Sequence, residues 1–210
     1  MKTIGIVGYG ELGRQIESFL TASKNDFDFI FFDDAGFEKG TSNISPFSDL
    51  LDSRFSQIEY VICLGYQHLQ MKRSIVNKLI ENNRRLFSYI HPTAIIDSSS
   101  VIGEGTIVYP NVVLDKNVTI GKGCLLNLSV TIAHDSIIGD CCFLAPSVTL
   151  SGFVQLGSMV FLGTGVNIAN GIIIDDSVVC GIGTVVTRNI PQGQFVIGNP
   201  QRTVKNIILT

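Results

Sequence analysis

The sequence from Ala94 to Thr187 reads AIIDSSSVIGEGTIVYPNVVLDKNVTIGKGCLLNLSVTIAHDSIIGDCCFLAPSVTLSGFVQLGSMVFLGTGVNIANGIIIDDSVVCGIGTVVT. An apolar residue stands at every sixth position, sixteen times in succession and without an insertion: Ile96, Ile102, Val108, Leu114, Ile120, Leu126, Ile132, Ile138, Leu144, Leu150, Leu156, Leu162, Ile168, Ile174, Cys180 and Val186. A short period that is kept over so many repeats is typical of a solenoid.

A second period accompanies the first. Two residues before each apolar position stands a small or β-branched residue, and the residue after it is often Gly, Ala, Asn or Asp. Each hexad is therefore predicted to be a short strand with two inward side chains, followed by a tight turn. Three hexads make one three-sided coil of eighteen residues, and coils stack about 4.8 Å apart through parallel ladders. Six residues are too few for a helical crossover, so the pattern predicts a parallel β-solenoid and not βαβ units.

This pattern resembles the hexapeptide-repeat acyltransferases, whose fold is a left-handed parallel β-helix. The left hand is implied by the resemblance, because the spacing alone gives only a parallel solenoid. The resemblance also implies acyl transfer from a thioester co-substrate.

Composition excludes several classes of protein. The net charge is −3 and only 16% of residues are charged, so no basic footprint for nucleic acid exists. No basic leader and no run of eighteen apolar residues occurs, so we expect no signal peptide, no membrane span and a cytoplasmic location. The five cysteines are odd in number and form no CxxC pair, which argues against a disulfide framework and against a metal site.

The N-terminal part begins with a predicted strand, Lys2–Val7, and continues with Gly8-Tyr9-Gly10-Glu11-Leu12-Gly13 and a helical pattern. This is a GxGxxG motif between a strand and a helix, where the glycines allow a phosphate to approach a helix N-terminus. A second strand, Phe27–Phe32, ends in Asp33 and Asp34. By motif alone, this is a dinucleotide site with an acid on the ribose.

A third strand, Glu59–Gly65, and a helix, Leu69–Asn82, complete an α/β domain over residues 1–88. Three βα elements make half a Rossmann fold, which can hold one nucleotide but lacks the second half that NAD needs. We therefore predict that Gly8, Gly10, Gly13, Asp33, Asp34 and Gly65 bind a nucleotide-linked sugar. The alternative is that the glycines serve the turn and bind nothing.

Residues 89–210 form the predicted second domain, the β-helix with a C-terminal tail. The tail contains Asn189-Ile190-Pro191 and then Gly198-Asn199-Pro200-Gln201-Arg202. It resembles the terminal signature of hexapeptide acyltransferases, and the resemblance implies that this segment, including Arg202, contributes to an acetyl-CoA site. Gln201 stands where the family usually has Ala, a difference that we expect to have little effect.

Together, the half-Rossmann unit, the solenoid and the tail resemble the sialic-acid O-acetyltransferase-like subfamily, which includes N-acetyltransferases of UDP-, GDP- and dTDP-linked 4-amino sugars for surface glycans. The subfamily carries an Asn about seven residues before a His that is followed by an acid. Asn127, His134 and Asp135 match this motif. Imidazole suits the removal of a proton from an attacking amine, and an adjacent acid can orient the ring. The alternative for His134 is an ordinary surface histidine.

Gly152 follows His134 by eighteen residues, one coil further along the same edge. The resemblance implies that its N–H lies against the acetyl thioester, that Ala145 and Gly163 line the same cleft, and that the protein is a homotrimer with CoA between neighbouring prisms. Some relatives have a second His where this chain has Phe143. Three other functions stay open: O-acetylation of a sialic-acid-like sugar or transfer of another acyl group, a nucleotide- or NAD-binding module with an inactive solenoid, and a purely structural trimerising solenoid.

Overall fold

A computed structural model describes residues 2–23 and 26–206, which form two compact units that meet in sequence at Ser88 and Tyr89. Each unit has its own hydrophobic core. None of the helices in the described ranges has the length and apolarity that a bilayer crossing requires.

The strands and α-helices of the first unit are, in chain order, β1 Lys2–Val7, α1 Glu11–Ala22, β2 Phe27–Phe32, α2 Asp34–Glu38, β3 Ile44–Ser45, β4 Glu59–Ile62, α3 Leu69–Glu81 and β5 Arg85–Leu86. The five strands form a parallel sheet in the order β3-β2-β1-β4-β5. Short 3₁₀ helices cover Phe47–Leu51, Ser53–Phe55 and Tyr66–His68.

The predicted first and second strands have the bounds that the structure gives, whereas β4 ends three residues earlier than predicted. The sequence pattern did not predict β3 and β5, which have two residues each and lie at the two edges of the sheet. Two residues are too few to display the alternation that marks a strand. The central strand β1 has four buried residues in succession because helices cover both faces of a parallel sheet.

The second unit is a left-handed parallel β-helix with three faces, as predicted. The first face holds Tyr89–Ile90, Ile107–Val108, Leu125–Leu126, Phe143–Leu144, Phe161–Leu162 and Val179–Cys180. The second holds Ile95–Ile96, Val113–Leu114, Thr131–Ile132, Thr149–Leu150, Asn167–Ile168 and Val185–Val186, and the third holds Val101–Ile102, Thr119–Ile120, Ile137–Ile138, Gln155–Leu156 and Ile173–Ile174. Two tail strands, Gln194–Ile197 and Arg202–Asn206, extend the first face.

Ladder partners among the strands from Tyr89 to Val186 are eighteen residues apart, as Thr131 is from Val113 and from Thr149. The predicted coil length is therefore confirmed. The sixfold apolar positions point inward, and they are buried from Val108 onward. Ile96 and Ile102, in the first coil, are only half-buried.

Most corners of the prism contain a residue in the left-handed backbone region. Several of them are not glycine, among them Asp135 with φ 57° and Phe153 with φ 60°. The ladder overrides their intrinsic preference, because the N–H of Asp135 donates to Lys116 O at 3.0 Å and that of Phe153 to His134 O at 3.0 Å. The corners thus have fixed geometry, which suits them to carry functional side chains.

Candidate active site

The corner between the second and third faces carries His134 and Asp135, immediately after the strand Thr131–Ile132. We call this set of turns, at 115–118, 133–136, 151–154 and 169–172, the histidine corner. His134 Nδ1 lies 2.9 Å from Asp135 Oδ2, and the two side chains are 43% and 34% exposed. The predicted pair therefore exists, and it faces out of the prism.

The second carboxylate oxygen of Asp135 is held from the preceding coil. Asn117 Nδ2 donates to Asp135 Oδ1 at 2.9 Å. This bond, followed by the one to His134, lowers the pKa of Asp135 from its ordinary value. Asp135 is therefore ionised at neutral pH, and as an acceptor it draws the imidazole proton to Nδ1. The lone pair of neutral His134 is then on Nε2, the nitrogen that a general base needs free. Sequence analysis missed Asn117, although it stands eighteen residues before Asp135.

Gly152 lies directly beside the imidazole. A Cβ atom on Gly152 would be 2.7 Å from His134 Cε1, 2.9 Å from Nε2 and 3.2 Å from Asn170 Oδ1, which is too close for a side chain. The ring of Phe153 meets the His134 ring edge to face, with centroids 5.1 Å apart. Within the described ranges, no group accepts a hydrogen bond from the Gly152 N–H. The Gly152 N–H is therefore available to an acceptor atom of a ligand.

The other predicted cofactor residues lie elsewhere on the prism. Ala145 and Gly163 belong to the corner between the first and second faces, one coil apart, and Asn127 is one coil below Ala145. The second face separates this corner from His134, so a single chain does not bring these residues against the imidazole. Asn127 Oδ1 accepts from the N–H of Leu128 at 2.7 Å, which makes it a turn residue here. Gly163 has no room for a Cβ atom, which would be 2.9 Å from Ile182 N.

Gln201 has a larger structural role than we expected from its place in the tail. It is buried, its Oε1 accepts from Thr187 N at 2.8 Å, and its Nε2 donates to Arg188 O at 2.8 Å. These bonds fasten the tail to the last coil, which an Ala at this position does not do. Arg202, which follows, is exposed at the start of the strand Arg202–Asn206.

In the first unit, some of the predicted glycines are required by the backbone turn and others are not. Gly8 has φ 89°, and a Cβ on Gly13 would collide with Gly8 O, so the turn itself requires both. A Cβ on Gly10 or on Gly65 would meet nothing within 4 Å. Gly10 follows β1 and Gly65 follows β4, and these strands are parallel neighbours in the sheet. The two open glycines therefore lie at the carboxyl edge of the sheet, where α/β folds bind ligands.

Both acids at the end of β2 are already hydrogen-bonded to backbone. Asp33 accepts from Tyr9 N at 2.9 Å and from Gly36 N at 2.8 Å, and Asp34 accepts from Phe47 N at 2.7 Å. Asp33 thus fixes the glycine loop and caps α2. This supporting role was not predicted from the sequence.

The five cysteines lie outside the histidine corner. All five cysteines are buried thiols outside any disulfide, and burial raises the pKa of Cys63 and of Cys180 to about 12. Among residues 2–23 and 26–206, no group of three His, Cys, Asp or Glu side chains is placed to hold a metal ion.

Comparison with known proteins identifies the family. The family model described as GMPPB C-terminal domain matches residues 88–196, which is just over half of the chain. The chain belongs to the GMPPB C-terminal domain family. The match covers most of the second unit and includes the histidine corner, whereas residues 1–87 lie outside it. No curated protein matches this chain.

Solved structures extend the likeness to almost the whole chain. PerB from Caulobacter crescentus, in complex with CoA and GDP-perosamine, is 25% identical with a TM-score of 0.86 over 98% of each chain. WeeI from Acinetobacter baumannii AYE is 26% identical with a TM-score of 0.82, over 97% of this chain and 100% of that one. The acetyltransferase domain of PglB from Neisseria gonorrhoeae FA1090, in complex with acetyl coenzyme A, shares the fold at 24% identity, with a TM-score of 0.85 over 97% and 99% of the two chains. The predicted resemblance to hexapeptide-repeat acyltransferases is thereby confirmed.

Proposed function

We propose that this protein is an N-acetyltransferase that transfers the acetyl group of acetyl-CoA to the amine of a nucleotide-linked amino sugar, for surface glycan synthesis. The observation that carries the proposal is the contact of His134 with Asp135 on one side and Gly152 on the other. PerB, 98% of which matches this chain, is in complex with CoA and GDP-perosamine, a nucleotide-linked amino sugar, which supports the same substrate classes here.

The reaction needs one proton acceptor and one oxyanion donor. The lone pair of the neutral amine attacks the thioester carbon while His134 Nε2 removes a proton from the nitrogen. The Gly152 N–H donates to the oxygen of the tetrahedral intermediate, as a backbone donor does in acyl transfer. The C–S bond then breaks, the imidazolium returns the proton to the CoA thiolate, and the amide is formed. No serine or cysteine nucleophile is required, because the thioester is already activated.

The residues around the imidazole support this role. Asp135, whose pKa is lowered, remains ionised and stabilises the imidazolium that forms. Phe153 fixes the ring from another side. We further propose that Ala145, Gly163 and Arg202 bind acetyl-CoA, and that the enzyme works in the cytoplasm, a reducing compartment in which its five thiols persist.

We expect His134→Ala to lower kcat by roughly 10²- to 10⁴-fold, the usual range for a lost acid–base group. The substrates are GDP-perosamine and its UDP- and dTDP-linked 4-amino counterparts, and release of CoA is measured against pH. The fold is expected to persist, since His134 is outside the apolar stack. If His134→Ala retains most of the wild-type kcat from pH 6 to 9, the enzyme acts chiefly by bringing two substrates together.

We also propose that the first unit binds the nucleotide-sugar through the edge marked by Gly10 and Gly65. Gly10→Leu is expected to raise KM for the sugar nucleotide at least about tenfold, equivalent to about 1.4 kcal/mol, while KM for acetyl-CoA and the melting temperature stay near wild type. The reason is that a Cβ at Gly10 would meet no protein atom within 4 Å, so a side chain there extends into the open space that we assign to the ligand.

Gly13→Ala is the matched control for Gly10→Leu. Its Cβ collides with Gly8 O, so it should lower the unfolding free energy by about 1–3 kcal/mol.

Binding of NAD at micromolar Kd, with no binding of UDP, dTDP or GDP sugars, would contradict the assignment of this edge to a nucleotide-sugar.

We propose, finally, that the protein is a homotrimer. The outer surfaces of the second and third faces expose apolar side chains, with Ile95 67% and Val101 60% exposed and Ile137 and Ile173 also exposed. Cyclic symmetry would cover such faces and repeat a cleft between neighbouring prisms. Light scattering at micromolar concentration should give three times the chain mass of 22.8 kDa. A monomer with full activity would overturn this assignment.

A further inference from the structure

Asn170 lies on the same corner as His134, and both side chains approach Gly152. It follows Gly152 by eighteen residues and His134 by thirty-six, so the three residues occupy successive coils of the histidine corner. The point where a Cβ of Gly152 would stand is 2.9 Å from His134 Nε2 and 3.2 Å from Asn170 Oδ1. The imidazole nitrogen and the amide oxygen therefore approach the buried glycine from the two neighbouring coils.

Both atoms are available to a ligand. The Asn170 side chain is exposed, and within the described part of the chain no donor reaches its Oδ1. His134 Nδ1 is engaged by Asp135, and no donor of those same residues reaches Nε2. One small group with two hydrogens on the same atom can donate to both acceptors at once.

A primary amine has this pattern of hydrogens, and an alcohol does not. A neutral amine carries two N–H donors and one lone pair, so it can donate to Nε2 and to Oδ1 while its lone pair attacks the thioester carbon. A hydroxyl has one hydrogen, which it donates to His134. It then has no hydrogen left for Asn170 Oδ1, so two acceptor oxygens face each other without a hydrogen bond. A site that leaves a polar group unpaired discriminates strongly against the mismatched substrate.

We propose that Asn170 is a catalytic and specificity-determining residue that accepts the second N–H of the attacking amine and so favours N-acetylation over O-acetylation. The inference rests on the proposed acetyltransferase function. The proton that leaves the amine goes to His134 Nε2, and the N–H that points to Asn170 is the one that remains on the amide product. Asn170 holds the nitrogen so that its lone pair is directed at the thioester.

The experiment uses the full-length protein, acetyl-CoA, and GDP-perosamine with its UDP- and dTDP-linked 4-amino counterparts. Each amine is paired with the same nucleotide sugar bearing a 4-hydroxyl. The variant Asn170→Leu keeps the size of the side chain and removes the acceptor, whereas Asn170→Asp keeps an acceptor oxygen. The control is Asn167→Leu in the same coil, where the side chain donates only to its own turn, to Gly165 O at 2.8 Å. The rates compared are kcat/KM values on the pH-independent plateau. There, the negative charge that Asn170→Asp introduces does not alter the fraction of amine that is neutral.

Asn170→Leu is expected to lower kcat/KM for the amine by about tenfold to a hundredfold, the loss of one hydrogen bond in the transition state. Its rate on the hydroxyl counterpart should stay at or above wild type, so the preference for the amine falls by the same factor. Asn170→Asp should recover most of the amine rate, and KM for acetyl-CoA should be unchanged in both variants. Asn167→Leu should behave as wild type.

Two results would overturn the assignment of Asn170. One is an Asn170→Leu variant that keeps the wild-type rate and amine preference. The other is an Asn170→Asp variant that melts like wild type yet loses as much activity as Asn170→Leu, because an acceptor would then not be what the site uses. If the wild-type enzyme acetylates none of the amines, the proposed function fails and this inference fails with it, whereas a failure confined to Asn170 leaves an active wild type.

Discussion

The backbone ladder between successive coils is the interaction on which the rest of this protein depends. Every strand on the three faces pairs with residues eighteen positions away, and the corner residues continue the pairing, as the bonds from Asp135 N to Lys116 O and from Phe153 N to His134 O illustrate. Because the ladder satisfies the polar backbone of each coil, the interior can be filled by two side chains per hexad, one of them aliphatic in nearly every hexad and the other small or β-branched. The same ladder brings residues eighteen apart in sequence into a column along each edge of the prism.

The candidate active site consists of two adjacent columns. One column contains His134, Gly152 and Asn170. The other contains Asn117, Asp135 and Phe153, and in these three residues the backbone φ is near 60°. Adjacent positions on one coil give the short contact between His134 and Asp135, and adjacent coils give the contacts to Asn117 and to Gly152. The contacts that hold these groups come from the coils themselves, so their geometry depends on the rigidity of the coils. A rigid support of this kind is what proton transfer at a fixed nitrogen requires.

The hexad period predicted the coil length and the inward residues because both follow from strict sequence spacing. The same eighteen-residue spacing predicted that Gly152 lies beside His134. Asn117 and Asn170 obey the same eighteen-residue spacing and could have been found in the same way. An exposed Asn in a turn is, however, already explained as a turn residue. Only the direction of its side chain distinguishes a turn residue from a site residue. Likewise, Gly10 and Gly13 look alike in the motif, and only the surrounding atoms reveal that one is required by packing and the other is not. The hydrogen bonds of Gln201 to Thr187 and Arg188 depend on how the tail folds back, which no period in the sequence encodes.

The central claim is that acyl transfer occurs where the His134 ring lies against Gly152. The most direct measurement is kcat of Gly152→Ala together with its melting temperature. An added Cβ would be 2.7 Å from His134 Cε1 and 3.2 Å from Asn170 Oδ1, and both neighbours are side-chain atoms that can move aside, since the His134 side chain is 43% exposed and Asn170 is exposed. We therefore expect the variant to fold with nearly the wild-type melting temperature, but to lose about 10²-fold or more in kcat, since a displacement of about 1 Å is enough for such a loss. A folded Gly152→Ala enzyme with wild-type kcat would place the chemistry elsewhere and contradict the account.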